Sequence, residues 1–316
     1  MGARASFPEL GGLVKVRERR TPADRFQVIE PPSRAHRRVV KTYRMDAGRI
    51  RATCSHAIDP ETARAWIASS AGTLLFRPDG VPRVERSILG GVPVIVKRSA
   101  RSAAARLASA LLGRHGRPKR AFRIGIELLE HGVPAARPLV LLEERTLGLE
   151  RSAVVLEEAP GETLRELITS KLPSLDPTER DRAKREALGA VASAAARLHE
   201  ARFRQRDLKA PNIVIASPGS ATTATLIDLE GMRILFGAPT WRGRARDLGR
   251  LAASLRTAEA RAAGIDDNDW MVFIAAYLAA CGRGADRARA RELLRRTVAW
   301  AEKKEERNRR RGRVLH

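Results

Sequence analysis

Residues 206–212, Arg-Asp-Leu-Lys-Ala-Pro-Asn, constrain this chain more than any other stretch of its sequence. Asp207 and Asn212 are five positions apart and Lys209 stands between them, so a carboxylate, an amine and a carboxamide share one short loop. The β-branched run Ile-Val-Ile follows immediately, which predicts that the loop leads directly into a strand. The sequence therefore predicts three polar side chains close to the start of one strand.

The strand that follows the loop belongs to a predicted hairpin. Its two strands are residues 212–216 and 224–227, joined by Ser-Pro-Gly-Ser at 217–220, and Asp228 follows the second strand. An Asp in a loop, an Asn just before a strand and an Asp after the next strand suit two tasks. One carboxylate can accept a proton from an attacking hydroxyl, while the amide and the other carboxylate can hold Mg²⁺ on the phosphates of a nucleotide.

This layout resembles the catalytic and metal-binding loops of protein-kinase-like phosphotransferases. Residues 207–212 match the kinase catalytic loop, although Gln205 stands where a histidine usually precedes Arg-Asp. Residues 228–231, Asp-Leu-Glu-Gly, stand where kinases carry Asp-Phe-Gly. The resemblance implies an α+β fold of the bilobal protein-kinase-like type, with a small antiparallel β lobe and a larger, mainly helical lobe.

The N-terminal half of the chain carries the strand signals that a small β lobe needs. Asp59 and Pro60 are typical of a helix start, and this helix is expected to end near Ser70 with Trp66 and Ile67 on its inner face. An antiparallel sheet of five strands is expected at residues 73–76, 81–89, 92–98, 139–143 and 153–156, with helices at 101–112 and 118–131.

Lys97 ends the apolar run Val-Ile-Val, where a lysine rarely lies without a partner. It resembles the third-strand lysine of kinases, which contacts nucleotide phosphates; the alternative is a lysine whose ammonium group reaches solvent at a strand end.

Two features depart from the kinase pattern. The Gly-x-Gly-x-x-Gly loop is absent, with residues 77–80 as a short substitute, and Ala121 stands where a helix usually supplies a glutamate. Glu127 is the nearest acid on that helix, and the carboxylate that pairs with Lys97 is left open.

The C-terminal half is expected to be helical. Glu157 and Ala159 lie in a stretch that would connect the lobes and offer backbone groups to an adenine edge, or would be an exposed linker.

His199 is expected to pack or brace the loop because Asp207 already fills the role of a base. Asp247 is expected to be the buried acid that braces the backbone of the catalytic loop, or a simple helix N-terminal acid. Further helices are predicted from 163, at 176–200, from 242, at 268–281 and at 285–304.

Three stretches resemble the lipopolysaccharide core kinases, the Kdo and heptose kinase family. They are residues 198–208, 130–139 and 227–230. The resemblance implies transfer of a phosphoryl group from ATP, with Mg²⁺, to a sugar hydroxyl of the lipid A inner core, at the cytoplasmic side of the inner membrane. It also implies residue roles: Asp207 as the base, Asn212 and Asp228 as Mg²⁺ ligands, Lys97 as a phosphate contact and Lys209 as a γ-phosphate contact.

The net charge is compatible with anionic partners. The chain has 60 Lys and Arg against 36 Asp and Glu, which is a formal charge of +24. Because Arg and Ala are abundant throughout, this charge permits contact with a polyanion without naming one. The expected ligands are ATP and a glycolipid or sugar acceptor. Peripheral contact with an anionic membrane surface is compatible with the charge, and nucleic acid is not expected as a partner.

The expected organisation is cytoplasmic and in four parts. Cys54 and Cys281 are far apart and fit a reducing compartment, the N-terminus has no signal-peptide core, and the apolar run 271–281 is too short to span a bilayer. The parts are a basic arm at 1–45, a β-rich lobe at 46–156, a helical lobe with the catalytic and metal loops at 157–304 and a basic tail at 305–316. The stretch 303–313, which is dense in Lys and Arg, is expected to fray.

Two other functions remain open from the sequence. A Ser/Thr protein kinase is favoured by Lys209 in Asp-Leu-Lys. A degenerate kinase-like fold that acts as a basic binding module is favoured by the missing Gly-rich loop and by Ala121. Four intact residues argue against it: Lys97, Asp207, Asn212 and Asp228.

Overall fold

The computed structural model groups the described residues into two compact units. The first unit takes the described residues up to Ile126 together with Arg137–Glu158, and the second takes Glu127–Ala136 together with the described residues from Ala159 onward. The described stretches are 16–18, 42–47, 50–75, 84–102, 116–145, 149–217, 221–284 and 286–310.

The first unit is built on an antiparallel sheet that has seven strands among the described residues. The predicted number of five was too low, and the arm predicted at 1–45 is wrong where it overlaps the first two strands. Tyr43 and Met45 are buried and alternate with more exposed residues, so they pair with the next strand as a half-buried hairpin. In sheet order the strands are β1 (Val16–Glu18), β2 (Thr42–Ala47), β3 (Ile50–Ser55), β6 (Pro138–Arg145), β7 (Leu149–Glu157), β5 (Val92–Ser102) and β4 (Val84–Leu89).

Helix α1 (Pro60–Leu75) packs on this sheet through a buried face that includes Trp66. The carboxylate of Asp59 caps it as predicted, accepting from two first-turn N–H groups at 3.1 and 2.9 Å. The strand predicted at 73–76 is wrong as far as Leu75, because the helix propagates where no proline interrupts it. Phe76 and the predicted turn at 77–80 lie outside the described residues.

Strand β5 is longer than predicted and continues to Ser102, which pairs with Leu149 of β7. The helix predicted at 101–112 is therefore wrong at its first two residues, and the rest of it lies outside the described residues. The next predicted helix is confirmed as α2 (Arg117–Glu130). Ala121 on this helix is 1% exposed, so an acid there would lose its hydration.

The second unit is mainly helical, with short strands that carry the loops of interest. The predicted hairpin is confirmed, with Ile213 opposite Leu226, and its turn residues 218–220 lie outside the described part. The short strands are β8 (Glu162–Thr163), β9 (Phe203–Gln205), β10 (Ile213–Ala216), β11 (Thr223–Leu226) and β12 (Met232–Ile234). The helices are α3 (Leu164–Glu166), α4 (Pro177–Glu200), α5 (Trp241–Leu255), α6 (Ala258–Ala262), α7 (Asp267–Ala280) and α8 (Arg287–Arg310).

Helix ends in this unit follow the capping signals. Thr163 and Glu166 form both bonds of the predicted capping box, and Asp176 caps α4. Helix α8 runs to Arg310, and Asn308 near its end is still buried, so the predicted fraying stretch is helical as far as that residue. No helix in the described stretches is long and apolar enough to cross a membrane.

Candidate active site

Asp207 lies in the loop between β9 and β10, in contact with two other predicted site residues. Its Oδ2 atom is 2.9 Å from Nζ of Lys209, and the side-chain amide of Asn212 donates to its main-chain carbonyl at 2.9 Å. A short 3₁₀ turn, Ala210–Asn212, brings Asn212 back toward Asp207. The Asp207 side chain is 50% exposed, so a ligand can reach the carboxylate. The structure therefore brings together the three polar groups of this loop.

Gln205 links the catalytic loop to the loop that carries Asp228. Its side-chain NH₂ donates to the main-chain carbonyl of Asp228, and its Oε1 accepts from the N–H of Asp207 at 3.2 Å. Gly231 makes room for this contact, since a Cβ there would lie 2.5 Å from Oε1 of Gln205. The sequence marked Gln205 only as a substitute for histidine, and no local pattern indicates a partner 23 positions away.

Asn212 and Asp228 lie at the same end of the β10–β11 hairpin. The N–H of Ile227 donates to the carbonyl of Asn212 at 3.1 Å, one step beyond the strand ladder. Because the amide nitrogen of Asn212 is bound to Asp207, its amide oxygen points the other way. The amide oxygen of Asn212 and the carboxylate of the half-buried Asp228 are the kinds of oxygen ligand that Mg²⁺ prefers. Among the described residues no group of three or more His, Cys, Asp or Glu is arranged to hold a metal.

Asp247 on α5 anchors the strand that leads into the catalytic loop. It is 0% exposed, and its carboxylate accepts from Nε and Nη2 of Arg204 at 3.0 and 2.6 Å and from Arg250 at 2.9 Å. The sequence predicted a buried acid that braces the loop backbone. Asp247 is buried, but in these contacts it holds the loop through the guanidinium group of Arg204 in β9.

The backbone of the catalytic loop is held by side chains other than Asp247. Besides the contact from Asp207 to Gln205, the N–H of Ala210 donates to the hydroxyl of Ser254 at 2.9 Å. These bonds fix the loop at both sides of Lys209, because each buried or half-buried N–H needs a partner. The loop geometry is therefore set by β9 and by α5.

His199 lies in a buried polar network behind the loop. Its Nδ1 atom is 2.7 Å from the hydroxyl of Tyr277, and Arg244 donates to the same hydroxyl at 3.1 Å. Burial lowers the pKa of His199, and the nearby carboxylate of Asp247 opposes this effect only in part. Burial would raise the pKa of Asp247, but contacts with His199 and Arg204 outweigh it and the pKa is lowered. His199 packs in the interior and braces the structure, as predicted.

The family profile described as "Lipopolysaccharide kinase (Kdo/WaaP) family" matches residues 112–277, which is more than half of the chain. The chain belongs to the Kdo/WaaP family. Its members are kinases that phosphorylate sugars of the lipopolysaccharide core, so the protein is a kinase, and the predicted family is confirmed. The matched region contains Asp207, Lys209, Asn212 and Asp228.

A solved structure supports the same fold. The structure titled "WaaP in complex with acyl carrier protein" superposes with a TM-score of 0.55 at 22% sequence identity, and the match covers 79% of this chain and 97% of that one. At this identity the likeness shows the fold alone, and it confirms the predicted α+β kinase-like class. No curated protein matches the chain.

The remaining predicted site residues lie outside the loops just described. Lys97 precedes the Kdo/WaaP match and is half-buried in the middle of β5, in the first unit. Glu157 ends β7, where its N–H donates to the carbonyl of Arg137 at 2.8 Å and its carboxylate lies 3.2 Å from Nη1 of the same residue. Ala159 is half-buried and begins the longer of the two segments that form the second unit. The roles of these three residues, and the pairing of Glu127 with Lys97, stay predictions.

Proposed function

We propose that this kinase transfers the γ-phosphoryl group of ATP, with Mg²⁺, to a hydroxyl of an inner-core sugar of lipopolysaccharide, either Kdo or a heptose. The observation that supports this most is the cluster of Asp207, Lys209 and Asn212 in one loop of a Kdo/WaaP family chain. These groups are those that phosphoryl transfer needs beside a hydroxyl acceptor.

In this proposal Asp207 orients the acceptor hydroxyl and accepts its proton. The carboxylate of Asp207 is half exposed, so a sugar hydroxyl can reach it. The main-chain N–H of Asp207 is held by a hydrogen bond to the side chain of Gln205. A positioned base of this kind contributes about 10²–10⁴-fold to the rate. The ammonium group of Lys209 lies beside the carboxylate, where it can contact the γ-phosphoryl group as negative charge shifts during transfer.

Asn212 and Asp228 would hold Mg²⁺ through the amide oxygen and the carboxylate. A bound Mg²⁺ supplies neutralisation of charge on the β- and γ-phosphates. Lys97 would contact the phosphates of ATP, and backbone groups at Glu157 and Ala159 would meet the adenine edge. Peripheral membrane association fits the same proposal because the acceptor is joined to a lipid, and a cytoplasmic location fits it because the phosphoryl donor is ATP.

Titration calorimetry tests the metal-ligand role of Asp228. Asp228→Ala should abolish binding of Mg²⁺-ATP, because it removes one of the two proposed protein ligands. Asp181→Ala is the matched control, since Asp181 is an exposed acid on α4 and should leave binding unchanged. Both variants should unfold thermally at temperatures close to wild type without nucleotide. Unchanged affinity of Asp228→Ala for Mg²⁺-ATP would contradict the assignment.

A further inference from the structure

The ribbon formed by β9 and β12 ends in a tip that exposes apolar side chains. Phe236 is fully exposed, and Ile234 is 43% exposed. Arg233 and Ile234 are neighbours in β12, so they point to opposite faces of the strand, yet both are exposed. The end of the ribbon is therefore uncovered on both faces, and Phe236 lies just beyond it.

This tip is attached directly to the catalytic loop. In the ribbon Ile234 lies opposite Phe203 and Met232 lies opposite Gln205, two residues before Asp207. Beyond the strand, the N–H of Leu235 donates to the carbonyl of Arg202 at 2.9 Å. Whatever binds the tip is thereby held within a few residues of the proposed base.

The side chains around the tip are cationic. Residues 231–240 carry one arginine and no acid, and residues 201–206, between Glu200 and Asp207, carry three arginines and no acid. Arg206 and Arg233 are exposed, and Arg202 is half-buried. We call Arg202, Arg233, Ile234 and Phe236 the tip surface; Arg206 bonds to Gly231 at the other end of the ribbon and is not part of it.

Arg202, next to the tip, has a strained backbone conformation. Its φ angle is 66°, and no other non-glycine residue in the described stretches has a positive φ. It directly follows the C-cap of α4, a position that favours glycine because a side chain is strained there. Strain that persists at one residue points to a use for its side chain. The arginine at this position contributes a cation to the tip surface.

We infer that the tip surface docks on an anionic lipid bilayer, with Phe236 and Ile234 entering the interface and the arginines contacting lipid phosphates. Exposed apolar side chains beside Arg202 and Arg233 match the apolar-and-basic composition of interfacial membrane contacts. A protein partner would instead be expected to cover a larger apolar area than two side chains. The inference rests on the proposed function only in that a lipid-linked acceptor places the membrane beside Asp207.

Vesicle co-sedimentation of the full chain tests this inference without using catalysis. Wild type should bind vesicles of equal parts phosphatidylglycerol and phosphatidylcholine, and bind phosphatidylcholine alone weakly. Phe236→Ser should weaken binding about tenfold, because it removes one buried aromatic ring. Arg233→Gln should weaken it about fivefold, and the arginine contribution should vanish near 1 M salt.

Matched control variants distinguish binding through the tip surface from nonspecific binding by other exposed apolar or cationic side chains. Met271→Ser removes an exposed apolar side chain on α7, and Arg291→Gln removes an exposed cation on α8; both should bind vesicles as wild type does. Asp207→Asn should also bind vesicles normally, so loss of the proposed catalytic role leaves this result intact. Equal vesicle binding by Phe236→Ser and wild type would overturn the inference. The inference would also be overturned if the wild-type protein did not bind vesicles but self-associated through Phe236 in analytical ultracentrifugation.

Discussion

Gln205 occupies a position where only a side chain with both a donor and an acceptor can make the observed contacts. Its carboxamide donates to the loop of Asp228 and accepts from Asp207, so one side chain sets the spacing of two loops. Each such bond contributes about 0.5–1.5 kcal/mol to stability. A hydrocarbon side chain of similar size could make neither bond.

A double-mutant cycle on Gln205 and Gly231 tests this link. Gly231→Ala places a Cβ against Oε1 of Gln205 and should displace it, so it should cost about as much as Gln205→Ala, roughly 1–3 kcal/mol. In the Gln205→Ala background, Gly231→Ala should cost much less, which gives a coupling energy of about 1 kcal/mol in urea unfolding. Gly237→Ala is the control, because a Cβ there meets nothing. Strictly additive losses would show that the two positions are independent.

At the scale of elements, the end of helix α4 carries a strained residue. Arg202→Gly should raise the free energy of unfolding by about 1 kcal/mol, because glycine adopts the positive φ without steric cost. Ala201→Gly at the preceding C-cap, where φ is −73°, should give no such gain. Chemical denaturation of the two variants measures both effects. A loss of stability in Arg202→Gly would mean that the arginine side chain contributes more than its backbone strain costs.

Elements with local signals were predictable, and those that depend on context were not. Asp59, Thr163 and Asp176 announce helix starts through side chains that cap their own first turn. Residues 73–76, Thr-Leu-Leu-Phe, are too few for periodicity to distinguish a helix from a strand. A strand is predicted there, whereas the preceding helix continues as far as Leu75. Strand β2 gave no clear signal because its buried apolar residues, Tyr43 and Met45, alternate with polar ones over only a few positions.

The candidate site divides in the same way at the scale of the whole molecule. The contacts among residues 207–212 could be predicted because they lie in one loop of fixed spacing. The contact of Arg204 with Asp247 joins positions 43 apart, and nothing local specifies that the acid would meet a guanidinium group and not the loop backbone. Long-range polar partners of this kind depend on how α5 packs, which a single sequence does not encode in a readable pattern.

The buried network around His199 makes the stability of the whole protein depend on pH. Because burial lowers the pKa of His199, the unfolded chain binds a proton below about pH 6.5 that the folded chain does not. Stability should therefore be complete above that pH and fall as the pH is lowered through it, by at most about 1.4 kcal/mol per pH unit. Asp247, whose pKa is lowered, loses its contribution only at more acidic pH, as the pH falls through its folded value.

Urea unfolding between about pH 5 and 7.5 isolates the histidine contribution. His199→Gln should flatten this part of the stability profile. His131→Gln, at an exposed ring, should leave the slope of wild type. An unchanged slope in His199→Gln would show that the buried imidazole is not the group that responds.

The central claim is that the loop around Asp207 phosphorylates a sugar of the lipopolysaccharide core. Mass spectrometry of unphosphorylated inner-core glycolipid, incubated with ATP, Mg²⁺ and either wild type or Asp207→Asn, tests it most directly. Wild type should add one phosphate to the sugar, and Asp207→Asn should do so about 10²–10⁴-fold more slowly. An equal rate for the two proteins, or phosphate found on protein and not on the glycolipid, would contradict the account.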